Sequence, residues 1–255
     1  MLVREAIILA AGEGSRLRMY INIPKPFAPL GKFRLLHFPL LSLYMVGVRN
    51  FVVVSREGAK GYLSRILKSL EREINYRIII NKDPDRENGY SLYLGIRNCG
   101  SDLFFVSMSD HIYPPSIPSK LLRDMDEDID ILVAADSSPK YADINEATKI
   151  YSSDGRVLAI GKGLRKFNYV DAGLFIMRKN VIRVIEPLLK RHEIIRVSDI
   201  VNEAIRRGYN VRVSDITGSP WIDIDTPREL TNVMYGDASE LIDQIIRQVG
   251  GPVWR

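Results

Sequence analysis

Four groups of residues have types and spacings suited to chemistry on phosphates. The first is Ala10-Ala11-Gly12-Glu13-Gly14-Ser15-Arg16, directly after the apolar run Ala6-Ile7-Ile8-Leu9-Ala10. Glycines there let the backbone approach a ligand and turn its N–H groups toward an anion. The second is Pro24-Lys25-Pro26, whose prolines fix the backbone and aim a cation back at that loop. The guanidinium of Arg16 is a planar fork and the ammonium of Lys25 a point charge, and together they suit a triphosphate. Two other phosphate motifs are excluded. A dinucleotide fingerprint needs a third small residue where Leu17 stands. A P-loop needs a closing Gly-Lys-Ser/Thr, which is missing.

The third group is acidic. Asp110 follows the apolar stretch Leu103-Phe104-Phe105-Val106, at the carboxyl edge where open α/β sheets bind ligands, and its plainer role is a turn or cap. Asp223 and Asp225 lie in Trp221-Ile222-Asp223-Ile224-Asp225-Thr226-Pro227. Taken as facing opposite sides of an extended segment, only one of them shares a metal with Asp110. The other caps the helix that Thr226-Pro227 opens. The fourth group is Lys162 between Gly161 and Gly163, a clamp for a second phosphate or a plain lysine in a surface turn. His111 beside Asp110 is read as a local hydrogen-bonding partner, and Cys99 as a small core residue.

The elements that must hold these groups alternate. Continuous apolar runs at 6–10, 51–54, 77–80, 103–106 and 129–134 predict buried strands of a parallel sheet. Helical spacing covers 35–45, 61–70, 91–98 and 118–125. Past about residue 136 short strands are expected at 149–151, 157–160 and 170–177, the first two joined at Asp154-Gly155. Next come a helix near 180–189, a second capped by Ser198 and stopped by Gly208, and a strand at 211–213. A last long helix runs from Thr226-Pro227 to Gly250-Gly251-Pro252. The alternation predicts an α/β fold, a sheet covered by helices on both faces, in one compact domain with a nucleotide-type half to about residue 136 and a mixed half after it.

Composition agrees with such a domain. The 255 residues are 46% hydrophobic and 26% charged, enough for a full core. One cysteine makes no internal bridge, which points to a reducing compartment. No signal peptide opens the sequence, and no apolar run approaches the roughly 18 residues of a membrane span. A cytoplasmic, non-membrane-spanning protein is expected. Net charge is +5, but acidic and basic residues are interspersed, which argues against nucleic acid and for a small anionic substrate. Glutamine occurs only at Gln244 and Gln248 amid abundant Lys, Arg and Glu, a composition of heat-adapted proteins.

The segment Leu9 to Arg16 followed by Pro24-Lys25-Pro26 resembles the signature of the nucleotidyltransferases that make nucleotide-activated sugars and alcohols. Ser107-Met108-Ser109-Asp110-His111 is similar to that family's central acidic motif, and Trp221 to Pro227 to its C-terminal one. A narrower resemblance is to CTP:inositol-1-phosphate cytidylyltransferases. It rests on Asn88-Gly89-Tyr90-Ser91-Leu92, Ser109 to Tyr113, Glu146-Ala147-Thr148-Lys149, Ile160-Gly161-Lys162 and Val170-Asp171-Ala172-Gly173. Phe27 to Lys32 departs from the plainer Leu-rich stretch of those relatives.

The resemblance implies a Rossmann-like mixed, mostly parallel sheet flanked by helices in a single domain, with about 1–136 as its nucleotide-binding half and about 137–255 as its acceptor-binding half. It also implies CTP and inositol-1-phosphate as substrates and CDP-inositol as product. Arg16, Lys25 and Lys162 would serve catalysis. Leu9, Ala10, Ala11, Gly12, Gly14, Arg16, Lys25, Asn88, Gly89, Tyr90 and Ser91 would line the nucleotide site. Lys149, Lys162, Asp171 and Gly173 would meet the acceptor. Mg²⁺ would sit on Asp110 with Asp223, favoured by the placement of the tryptophan motif, or its rival Asp225. The protein would be a free-standing form, possible as a homodimer, passing its product to a separate membrane phosphotransferase. The alternatives are another sugar-1-phosphate or phosphocholine as acceptor, or a non-catalytic regulatory member of the fold.

Overall fold

A computed structural model describes residues 2–249. The first segment runs β1 (Glu5–Ala10), α1 (Ser15–Ile21), the ribbon of β2 (Pro29–Leu30) and β3 (Phe33–Arg34), α2 (His37–Met45), β4 (Asn50–Arg56) and α3 (Lys60–Ser69). It continues through β5 (Asn75–Asn81), α4 (Glu87–Asn98), β6 (Leu103–Met108), β7 (His111–Ile112), α5 (Ser116–Asp124) and β8 (Ile131–Asp136). The second runs β9 (Lys149–Ser153), β10 (Arg156–Gly161), β11 (Tyr169–Arg178), α6 (Ile182–Arg191), α7 (Val197–Arg206), β12 (Val211–Asp215), β13 (Ile222–Asp223), α8 (Pro227–Tyr235) and α9 (Ser239–Val249).

Nine strands form one mixed sheet in the order β5-β4-β1-β6-β11-β8-β12-β10-β9. Pairing is parallel in the β5-β4-β1-β6 block and between β8 and β12. It is antiparallel around β11 and at the β12-β10-β9 edge. The two segments interleave, because β11 inserts between β6 and β8. Strand β1 shows why its apolar run is continuous. Ala6, Ile8 and Ala10 enter the core on one sheet face, with residues of α2, α3, α5, α8 and α9. Ile7 and Leu9 enter the core on the other, with α4, α6 and α7.

Several boundaries differ from the sequence expectation. Helix α4 starts at Glu87, so Asn88 to Ser91 form its first turn. Residue Ser198 is not the cap of α7. Arg196 holds the extended cap conformation, and the Asp199 carboxylate accepts from its N–H at 2.8 Å. The long C-terminal helix is two helices, broken at Gly236, after which α9 folds back against α2 and α8. A Cβ at Gly236 would lie 2.3 Å from Asn232 Oδ1 and 3.1 Å from the Asn232 backbone, so a larger residue would have to displace the Asn232 side chain at the bend. The proposed stop at Gly250-Gly251-Pro252 lies outside the described residues. Among the described residues no helix is long and apolar enough to cross a membrane.

Candidate active site

Strands β1 and β6 are parallel neighbours, with Leu9 opposite Met108. The glycine loop and Asp110 therefore leave the sheet side by side at its carboxyl edge. Gly14 is left-handed (φ 59°), and a Cβ there would lie 2.4 Å from the Lys25 Cβ. Glycine is required because the lysine stem packs on the loop. Lys25 sits in a short 3₁₀ turn with buried Pro26 and Phe27. Its ammonium donates to Asp110 Oδ2 at 2.6 Å and also to Asp225 Oδ1. Burial opposes the lysine charge, but the two carboxylates outweigh it and hold the ammonium well above the ordinary lysine range. Burial opposes the Asp110 charge in turn, but the Lys25 ammonium and the bond and charge of His111 outweigh it and hold the carboxyl well below the usual carboxylate range.

His111 is clamped on three sides. Its Nδ1 lies 2.8 Å from Asp110 Oδ1, and its ring stacks on Trp221 at 5.9 Å and 5°. Trp221 is anchored in turn by donating from Nε1 to Asp136 Oδ2 at 2.8 Å. On the third side Gly173 has φ +69°, and a Cβ there would stand 2.5 Å from the imidazole. Burial works against the imidazolium, but its bond to Asp110 and the charges of Asp110, Asp223 and Asp171 raise its pKa above the usual value. Burial pushes Asp171 up to about 6, offset only in part by the Gly173 N–H and by His111. Asp223 is also raised, chiefly by burial, with His111 opposing.

Two cavities meet here. The first, about 470 Å³, is lined by the Gly12–Arg16 loop, Lys25, Arg56, Asp85, Asn88, Ser91, Asp110, Lys162 and Asp225. The second, about 650 Å³, contains Asp110, His111, Thr148, Lys162, Asp171, Gly173, Asp199, Asp223 and Asp225. Asp110, Lys162 and Asp225 border both. This arrangement places the glycine loop against a carboxylate-rich chamber, with charged groups of both signs at their junction.

The structure corrects the alternation argument. Residues two apart on an extended segment share a face. Ile222 and Ile224 are buried together, while Asp223 and Asp225 both line the second cavity. Of the two, Asp225 shares Lys25 with Asp110. Lys25 is itself a stand-in cation, showing that Asp110 and Asp225 converge on one point. Among the described residues no three His, Cys, Asp or Glu side chains gather to hold a metal. Two carboxylates suit a hard divalent cation whose remaining ligands are water and phosphate.

Other expected site residues are placed differently. Leu9, Ala11, Asn88 and Ser91 line the first cavity, but Ala10, Gly89, Tyr90 and Lys149 line neither. Gly89 packs on the chain before α7, donating to Ile195 O at 2.9 Å, and a Cβ there would lie 2.6 Å from that oxygen. Tyr90 stacks with Tyr93 and lies under Arg86. The ammonium of Lys149 donates to the carbonyls of Asn145 and Lys162, bracing the loop that presents Lys162. Asn88 lends Oδ1 to the N–H of Val197 at the start of α7. Arg56 and Asp199 also line the cleft, from outside every sequence motif, and Glu146 joins them from the motif that carries Lys149. Arg56 ends an apolar strand at the same carboxyl edge, the signal that located Asp110, and its buried NH1 has no hydrogen-bond partner among the described residues.

The chain matches the family described as MobA-like NTP transferase domain over residues 6–198. It is 33% identical over 230 residues to the "Bifunctional IPC transferase and DIPP synthase" of Aquifex aeolicus (strain VF5), covering 90% of this chain and 50% of that protein. The like-named protein of Archaeoglobus fulgidus is 34% identical, with 89% and 42% covered. The chain thus spans about half the length of the curated relatives it matches. Among solved structures it is similar to the inositol-1-phosphate CTP transferase from T. maritima, with TM-score 0.87, 30% identity and 96% of both chains covered. A putative glucose-1-phosphate thymidylyltransferase from Bacillus anthracis has TM-score 0.79 at 20% identity, with 91% of this chain and 95% of that one covered, and shares the fold.

Proposed function

The chain belongs to the MobA-like NTP transferase family, and from that premise we propose that it transfers CMP from CTP to inositol-1-phosphate, giving CDP-inositol and pyrophosphate. The observation that carries a two-substrate transfer is the meeting of the two cavities at Asp110, Lys162 and Asp225. The choice of CTP and inositol-1-phosphate is supported by the full-length likeness to the T. maritima transferase.

A phosphate oxygen of the acceptor attacks the α-phosphorus of CTP, the bond to the bridging oxygen breaks, and pyrophosphate leaves. The attacking group is already an anion, so no base has to take a proton, and the work is positioning and charge neutralisation. The Gly12–Gly14 backbone, Arg16 and Lys25 hold the triphosphate. Lys162, at the junction, draws the acceptor phosphate toward it. Asp171 and Asp223 accept hydrogen bonds from acceptor hydroxyls, and His111 holds Asp110 in place. Asp110 and Asp225 would hold Mg²⁺, which when bound supplies positive charge between the two reacting phosphates. The product, an activated alcohol phosphate, is the substrate of a phosphotransferase.

Pyrophosphate release tests the reading, with CTP, UTP and dTTP crossed against inositol-1-phosphate, glucose-1-phosphate and phosphocholine. CTP with inositol-1-phosphate should give the highest kcat/KM. A higher value for UTP or dTTP with glucose-1-phosphate would overturn it.

A further inference from the structure

We propose that Lys25 is the resident cation of the two-carboxylate site, so that a divalent metal enters only together with the nucleotide. This rests on the transferase reading above and concerns the order in which the site fills. The Lys25 ammonium bonds to both Asp110 and Asp225, and its side chain is only 8% exposed. A metal at the point those carboxylates share would meet the buried ammonium at contact distance, where repulsion between like charges is strong. One of the two cations has to leave.

The backbone of Lys25 cannot carry it away, because Pro24 and Pro26 flank it and Pro26 and Phe27 are buried. Only the side chain is able to swing. Its stem lies against Gly14, and the loop, Lys25, Asp110 and Asp225 all border the first cavity. The one direction with new anionic partners is therefore the cavity in which a triphosphate binds. Without a nucleotide, leaving the carboxylates strands a buried cation, which is strongly unfavourable. With one, the ammonium exchanges two carboxylates for phosphate oxygens as the metal takes its place. Metal and nucleotide are thus positively coupled through one side chain with two positions.

The test uses the full chain and Mn²⁺, followed by the loss of its free-ion EPR signal. Nucleotide-free wild-type protein should bind Mn²⁺ weakly. Lys25→Met should bind it about tenfold tighter or more, a difference of about 1.4 kcal/mol. Lys25→Met combined with Asp225→Asn should return to the wild-type level, and Lys25→Arg, which keeps the charge, should exclude the metal as lysine does. If Lys25→Met folds poorly, Mn²⁺ alone should raise its thermal midpoint while leaving the wild type unmoved. Nucleotide-free wild type binding Mn²⁺ as tightly as Lys25→Met overturns the proposal, and so does a Lys25→Met protein that neither binds nor is stabilised. The substrate panel reads separately: a preference for another nucleotide retires the CTP reading and leaves the Mn²⁺ result standing.

Discussion

On the glycine-loop wall of the cleft, Gly12, Glu13, Ser15 and Arg16 are exposed, and among the described residues Arg16 pairs with Glu146 alone, at 3.4 Å. On the carboxylate wall, Lys25, Asp110, His111 and Trp221 are buried or half-buried, and each is bonded to or stacked on another of the set. The first wall is exposed backbone and exposed side chains of both signs, open to water until a ligand arrives. The second has cancelled its own charges before any ligand is present. A change on the loop wall should therefore cost ligand binding alone, whereas a change on the carboxylate wall should cost folding as well.

The largest expected effect is at Asp110→Asn. Turnover should fall by about two to three orders of magnitude, as when a pre-set charge is removed from a transfer site. The thermal midpoint should also fall, by less than the roughly 3–5 kcal/mol of a fully stranded buried charge, because Asp225 still holds Lys25. Full activity with an unchanged midpoint would erase the distinction between the walls. Arg16→Ala comes next. It should lower kcat/KM for CTP by about 1.5–3 kcal/mol and leave the melting curve in place, since exposed ion pairs contribute little. A melting shift as large as the kinetic one would show that the loop wall is structural after all.

Gly173→Ala sharpens the comparison from the other side, because it adds a methyl group and removes no charge. The new Cβ meets the His111 ring at 2.5 Å on a left-handed backbone. Stability should drop by about 1–3 kcal/mol, together with acceptor use, as read by urea unfolding and acceptor KM. Normal values of both would mean that the clamp on His111 is looser than its geometry. The smallest effect is a pH dependence. Asp171 has a folded value of about 6, above the ordinary 3.8, so the folded state holds its proton more firmly than the unfolded chain. Its stabilising contribution is complete below about pH 4 and is lost as pH rises through about 6. Asp171→Asn keeps an oxygen for the Gly173 N–H and escapes that loss. Its midpoint relative to the parent should rise between pH 4 and pH 7, and a flat difference would remove Asp171 from this account.

The loop wall was the more legible in sequence, because Gly12, Gly14, Pro24 and Pro26 act through local backbone geometry that residue type alone declares. Asp110 was legible for a related reason: an apolar strand ends just before it. The Lys25–Asp225 pair gave no local signal, since its partners meet only when the sheet edge closes. Asp223 and Asp225 were misjudged because both follow the twofold period of one strand face. Gly89 and Lys149 belonged to recognisable motifs, yet they brace α7 and the Lys162 loop instead of lining the cleft. The nine sheet strands were mostly apparent from apolar runs. The two-residue strands β7 and β13 were not, being too short to carry a period.

That small ribbon bears on when the protein becomes competent during its own synthesis. His111 pairs with Asp223 and Ile112 with Ile222, and the N–H of Ile224 donates to Asp110 O at 3.0 Å. A nascent chain that has emerged as far as β12 already owns the glycine loop, Lys25 and Asp110, but it lacks the strand that delivers Asp225. The ribbon thus ties the two-carboxylate geometry to the late part of the chain: Asp110 and Asp225 face each other only once residues 222–224 have paired beside β7.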